Sequence, residues 1–339
     1  MRQLPVMQSL TQAQIAQYRA DGYVLVQDVL DDTLADLCRV TDEIVASAQG
    51  VEDHTNILDL EASHTPDAPR VRRIKQPHLA DPFYRELAAH GGIMAALEPL
   101  IGDNIRLRAG GKINMKSADY GSPVEWHQDW AFYPHTNQDV LAVGILLDDM
   151  DADNGPLLVL PGSHRGPVYD HHSHGAFCGA IDVAREGLDV SGARELHGEA
   201  GSITIHHARL VHGSGVNKSD RQRRVLFFEY AAADAWPLAG IEHLNDLEDF
   251  NGRMVHGEPT LRPRLEDVPV KMPKGRSTRI SGRSRRRISN TLTELCDGRL
   301  RRGGGGAPLA GRVSSFACAK LGLGGKRQPR EGSATVAVA

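Results

Sequence analysis

The spacing of apolar positions divides the chain into a helical opening, a strand-rich centre and a terminal stretch with no period. Thr11-Gln12-Ala13-Gln14 has the form of a capping box, so a helix is predicted from there to Gly22, a residue that tolerates the positive φ of a helix end. The run Tyr23-Val24-Leu25-Val26 then reads as a strand, and Asp31-Asp32-Thr33 opens a second helix with Leu34, Leu37, Ile44 and Val45 on one stripe. Residues 49–75 are polar and irregular, which predicts a loop covering the mouth of a site. Asp81-Pro82-Phe83-Tyr84 starts another helix with its proline at a tolerated first-turn position, and Gly91 separates it from a further helix ending at Ile101. These helices are expected to pack against the outside of a sheet.

From Ile105 the period shortens to two. Ile105–Arg108, Lys112–Lys116, Val140–Leu147, Pro156–Leu160, Ser202–His206 and Arg224–Tyr230 are short β-rich runs separated by Gly, Pro, Asn and Asp. Regular strands with turn signals indicate an antiparallel sandwich or barrel. The predicted fold is mainly β with flanking α: a double-stranded β-helix of the jelly-roll, cupin-like kind with N-terminal helices, its mouth a natural ligand pocket.

Composition changes the picture at one end. The 339 residues carry a formal net charge of -4, but sixteen Lys and Arg against three Asp and Glu lie from Lys271 onward, leaving 23 basic and 40 acidic residues before it. The tail is also Gly-rich, with Arg285-Arg286-Arg287 and four glycines from Gly303 to Gly306. One domain over residues 1–270 is therefore expected, followed by a basic, disordered tail over 271–339. That tail is either a basic arm for nucleic acid or anionic surfaces, or a stretch foreign to the fold, such as an altered reading frame would give. The acidic body argues against nucleic acid as a partner except through the tail. Cys38, Cys178, Cys296 and Cys318 show no metal-binding spacing, and no apolar run reaches membrane-spanning length, so a reduced, cytoplasmic protein without a membrane is expected. Oligomeric state is not legible.

The candidate chemistry lies in Trp126-His127-Gln128-Asp129-Trp130. On a strand His127 and Asp129 project to one side and Gln128 to the other, so an imidazole and a carboxylate converge. Alone, such a pair is commonly a surface contact. A distant His212, in His212-Gly213-Ser214-Gly215, would complete a two-histidine, one-carboxylate set, which suits non-haem Fe(II) and leaves coordination positions open.

Three stretches in this order resemble the phytanoyl-CoA dioxygenase family of Fe(II)/2-oxoglutarate oxygenases: His127-Gln128-Asp129; Asn154-Gly155-Pro156 running on to Pro161-Gly162-Ser163-His164; and His212-Gly213-Ser214-Gly215-Val216-Asn217 leading to Arg223. The helix, strand, helix opening fits as well. The resemblance implies that His127, Asp129 and His212 bind iron. It implies that 2-oxoglutarate chelates the metal with its far carboxylate on Arg223, with Ser214 touching it, and that O2 takes the remaining position. Hydroxylation of an unactivated C–H bond of a small organic molecule, with release of succinate and CO2, would follow. Related halogenases carry a small residue in place of the carboxylate, so Asp129 favours hydroxylation or desaturation. A different reading is a cupin-like metal-binding or small-molecule-binding protein that uses no 2-oxoglutarate.

Several neighbours compete for roles. Arg221 and Arg224 are rivals to Arg223. Lys112, Asn114 and Lys116 share a strand face that either looks into the pocket or lies exposed. His206 and His207 lack the Gly-Ser-Gly that follows His212, and with His171, His172 and His174 they read as loop residues or supports to the ligands. Trp130 and Phe132 are candidates for substrate contact.

Overall fold

The computed structural model describes residues 9–118, 121–240 and 246–271, so the basic tail, Lys271 apart, lies outside the described residues. The opening follows the sequence closely. Helix α1 (Gln12–Asp21) begins with the reciprocal capping box, the Gln14 N–H donating to Thr11 Oγ1 at 3.2 Å and the Thr11 N–H to Gln14 Oε1 at 2.9 Å. Gly22 ends it at φ 83°, and a Cβ there would lie 2.5 Å from His164 Nδ1, so both backbone and packing require glycine. Helix α2 (Leu34–Ala46) buries Leu37, Val40 and Thr41, a stripe rotated from the predicted one so that Leu34, Ile44 and Val45 sit at its margins.

Strands β1 (Tyr23–Val26), β2 (Leu58–Leu60), β3 (Val71–Lys75), β4 (Ile105–Leu107) and β5 (Lys112–Lys116) precede the site, with helices α3 (Phe83–Leu87) and α4 (Gly91–Ile101) between β3 and β4. The centre supplies β6 (Val124–His127), β7 (Val140–Leu146) and β8 (Leu157–Val159), then the short pair β9 (His172–Ser173) and β10 (Ala176–Phe177). Beyond them come β11 (Arg194–Leu196), β12 (Ile203–His207), β13 (His212–Ser214), β14 (Arg223–Ala232) and β15 (Met254–His256).

Apart from the separate pair β9-β10, these strands form two facing antiparallel sheets. The larger runs β1-β12-β7-β14-β5-β3-β2, with β4 on the far end of β14 and β15 on β4; the smaller runs β11-β8-β13-β6. Every long apolar run read as a strand is one. The expected loop over 49–75 is corrected in part: β2 and β3 lie within it, and β3 pairs with β5 in register Arg73↔Asn114. The polar run Val71-Arg72-Arg73-Ile74-Lys75 conceals a strand because one of its faces turns into a charged cavity rather than an apolar core.

The outer face of the large sheet is apolar. Leu226, Phe228 and Tyr230 of β14 join Ile113, Val143 and Ile205 against Leu37, Val40, Ile93 and Leu97 of the helices. Burying each such side chain contributes about 1.5–3 kcal/mol. Arg224, between Asp148 and Asp42 of α2 at 2.7 and 2.6 Å, fastens the helix layer to the sheet. The inner face carries Arg223, Val225, Phe227 and Glu229 from β14 and Lys112, Asn114 and Lys116 from β5, all lining the space between the sheets.

Candidate active site

Strand pairing builds most of the site. β13 pairs with β6 so that His212 and His127 are direct partners. Gly213, between His212 and Ser214, lets the strands approach: a Cβ there would come within 2.8 Å of Val124 O. The strand itself stops at His127. Gln128 is still extended, and Asp129 opens a 3-10 turn, Asp129–Ala131, so the predicted strand is one residue pair too long while the predicted convergence holds. Gln128 points the other way, fully buried, its amide donating to Pro167 O and Arg209 O and its Oε1 accepting from the Tyr169 N–H. His171 Nε2 accepts the Gln128 backbone N–H at 2.8 Å, which makes it a support to the site rather than a ligand.

His127, Asp129 and His212 offer three donor atoms within 4.8 Å of one another. His127 Nδ1 faces Glu125 O at 2.8 Å and His212 Nδ1 faces Leu210 O at 3.0 Å. In each case Nδ1–H donates to the carbonyl, which fixes the tautomer and leaves Nε2 with its lone pair toward the cluster. Burial lowers the pKa of both rings, so both are neutral, the form a metal needs. Burial pushes the Asp129 carboxyl up, but His206, His212, Lys112 and His127 outweigh it and hold the group well below the ordinary carboxylate range. Two neutral imidazoles and one carboxylate suit a ferrous ion, with one side left open.

The cavity extends from this cluster between the sheets, with a volume of about 240 Å³. At one end Arg223, 3% exposed, donates from Nη2 to Gly155 O at 2.5 Å while its Nε has no partner among the described residues. Burial depresses its pKa to about 10. A buried guanidinium short of acceptors fits the far carboxylate of a dicarboxylate such as 2-oxoglutarate. Its rivals are disposed of: Arg221 is an exposed partner of Asp151, and Arg224 points to the opposite face. Ser214 lines the cavity alongside, with Leu146, Met150 and Leu157 forming an apolar wall. Lys116, 3% exposed, spans to Ser122 O and Gly215 O beside Arg223, so the β5 face looks inward.

Phe132, edge-on to His127, and the β3 residues Arg72 and Arg73 also line the cavity. Trp130, a candidate for substrate contact, is 1% exposed core instead, its Nε1 donating to Pro269 O. Glu229 is held by Arg108 at 2.8 Å and Lys112 at 3.4 Å; burial raises its pKa, and the two cations lower it on balance. His206, read from the sequence as a loop residue or a support to the ligands, lies on a strand inside the site, 3.4 Å from Asp129 Oδ2. Period two could have found it, since His206 shares its strand face with Thr204, which also lines the cavity.

A jelly roll with this donor set and this buried arginine defines an iron- and 2-oxoglutarate-dependent dioxygenase. The family model for phytanoyl-CoA dioxygenase (PhyH) matches residues 18–225, and the chain belongs to that family. It is 39% identical over 262 residues to the probable alpha-ketoglutarate-dependent hypophosphite dioxygenase of Stutzerimonas stutzeri, covering 76% of this chain and 90% of that one. Among solved structures it resembles EctD from S. alaskensis with 2-oxoglutarate and 5-hydroxyectoine, at 25% identity and TM-score 0.54, over 78% of this chain and 93% of that one. The epimerase SnoN in complex with Fe3+, alpha ketoglutarate and nogalamycin RO aligns at 25% identity and TM-score 0.56, over 78% and 96%.

Proposed function

We propose that His127, Asp129 and His212 hold the ferrous ion, that Arg223 with Ser214 anchors 2-oxoglutarate, and that the enzyme hydroxylates a small molecule in the cavity, beside Phe132. The observation that carries this reading is the coexistence, in one cavity, of a three-donor cluster and a buried arginine whose Nε lacks a partner. A ferrous ion held by His127, Asp129 and His212, with 2-oxoglutarate anchored on Arg223, would supply O2 activation in which one oxygen atom goes to succinate as CO2 leaves and the other to the substrate as a hydroxyl group. This chain's residues orient the reactants. The backbone-anchored imidazoles fix the donors, Arg223 sets the direction of the cosubstrate, and Leu146, Met150 and Leu157 keep water from it. Anaerobic addition of Fe(II) and 2-oxoglutarate should give the weak visible charge-transfer band of the chelate. A band that survives Asp129→Ala and His212→Ala overturns the assignment.

The bond attacked is a C–H bond of a small organic substrate in the leading reading. A second reading, the P–H bond of hypophosphite, is favoured by the relative from Stutzerimonas stutzeri and by the cationic residues Arg72, Arg73 and Lys112 that line the cavity, which suit a small oxyanion. Succinate release with hypophosphite, with phosphorus NMR following phosphite, separates the two. We further infer that residues 1–270 form the catalytic domain, so truncation after residue 271 leaves turnover unchanged. Free Cys38 suits a cytoplasmic setting, and no helix among the described residues is long and apolar enough to cross a membrane.

A further inference from the structure

A third imidazole stands at the cluster without belonging to it. His206 projects from β12 toward the smaller sheet, 1% exposed, with its ring centroid 4.4 Å from that of His212. It is not one of the three groups whose donor atoms fall within 4.8 Å of one another. Neither of its ring nitrogens has a hydrogen-bond partner among the described residues. A buried polar ring without partners is unfavourable, and such groups persist where they serve the site. Asp129 Oδ2 lies 3.4 Å from His206 Nε2, whereas the other oxygen, Oδ1, faces His127 Nε2 at 3.8 Å.

We propose that His206 is a positioning residue: its Nε2–H donates to Asp129 Oδ2 and so keeps the carboxylate on the metal through Oδ1 alone. Denticity is the point at issue. A six-coordinate ion with three protein donors has three positions left, two for a chelating 2-oxoglutarate and one for O2. A carboxylate that swings round to bind through both oxygens would close one of them. The cluster offers no other imidazole N–H for this task, because His127 and His212 commit their Nδ1 protons to backbone carbonyls and their Nε2 atoms face the ion. His206 comes from the opposite sheet, so the bond also ties the 3-10 turn bearing Asp129 to β12.

This inference rests on the metal assignment above, and the experiment separates the two. In the full-length protein, ferrous affinity is measured anaerobically against a competing chelator, without cosubstrate, for wild type, His206→Phe and His206→Gln. Loss of an outer partner of a ligand lowers metal affinity by about 10–100-fold, and His206→Phe should do so while its melting temperature stays near wild type. His206→Gln keeps an N–H donor and should recover most of the affinity. Should His206→Phe fail to fold, nitrogen NMR of the zinc-loaded wild type decides: His206 Nε2 is expected to carry a proton and lie outside the coordination sphere. Equal affinity in all three proteins, or a metal-bound or unprotonated Nε2, overturns the proposal. Loss of metal binding in Asp129→Ala and His212→Ala tests the metal assignment itself.

Discussion

Arg223 and Arg224 are neighbours on one strand, equally buried at 3% and 5% exposure, and their surroundings are opposite. Arg224, on the outer face, meets Asp148 and Asp42, and those contacts raise its pKa against the effect of burial. Arg223, on the inner face, has a backbone carbonyl and a spare Nε, and burial depresses its pKa. One charge is satisfied by the fold; the other waits for a ligand. The same division runs through the whole large sheet, whose outer face is closed by apolar packing and whose inner face presents charged and polar groups to a cavity.

The comparison would break most visibly at Asp129. Asp129→Ala should lower turnover by about 10³-fold or more and should also lower the melting temperature of the metal-free protein at neutral pH, because the fold holds this carboxylate's pKa below its ordinary range. Ferrous titration and calorimetry read the two effects. The arginines themselves come next. Arg223→Leu should raise the KM for 2-oxoglutarate by about 10²-fold, the scale of a lost pair of charge-assisted hydrogen bonds, with no loss of stability. Arg224→Leu should do the reverse, losing about 2 kcal/mol in urea unfolding at unchanged KM. A destabilised Arg223→Leu protein with normal cosubstrate affinity would refute the division.

How much of this was legible in the sequence depends on which side of the sheet a residue faces. Outward apolar alternation made β7, β12 and β14 readable, and the capping box and Gly22 set both ends of α1. The donors His127, Asp129 and His212 were found through their motifs and meet as expected. What escaped lies where polar residues face inward. β3 was read as loop because Arg72, Arg73 and Lys75 hide its period, and His206 was left between a loop residue and a support because a motif, rather than its strand face, was used to rank it. The choice between Arg223 and Arg224 required the register, Arg223↔Lys116, to decide which side faces the cavity.

Smaller effects sharpen the same contrast. Two buried imidazoles outside the donor set, His135 and the supporting His171, are each 2% exposed, and burial lowers the pKa of each to about 4. In the unfolded chain they titrate near 6.5, so below that pH the unfolded state takes up protons that the folded state refuses. The stability they contribute is full above pH 6.5 and is lost as pH falls toward 4, by about 1.4 kcal/mol per pH unit for each ring. Urea unfolding between pH 7 and 5 should show this slope, and His135→Asn should remove one ring's share. Smallest of all, Thr11→Ala should remove the cap of α1 at a cost of about 1 kcal/mol, visible in melting temperature and absent from turnover.

The direct pairing of His212 with His127 has a consequence for biosynthesis. The two rings are far apart along the chain and meet only when the strand carrying the second is laid beside the first, a non-local step late in assembly. During translation the first half of the protein holds only two of the three donors. The cluster therefore forms only once β13 has been laid beside β6, and a ribosome-bound fragment ending before His212 lacks its third member.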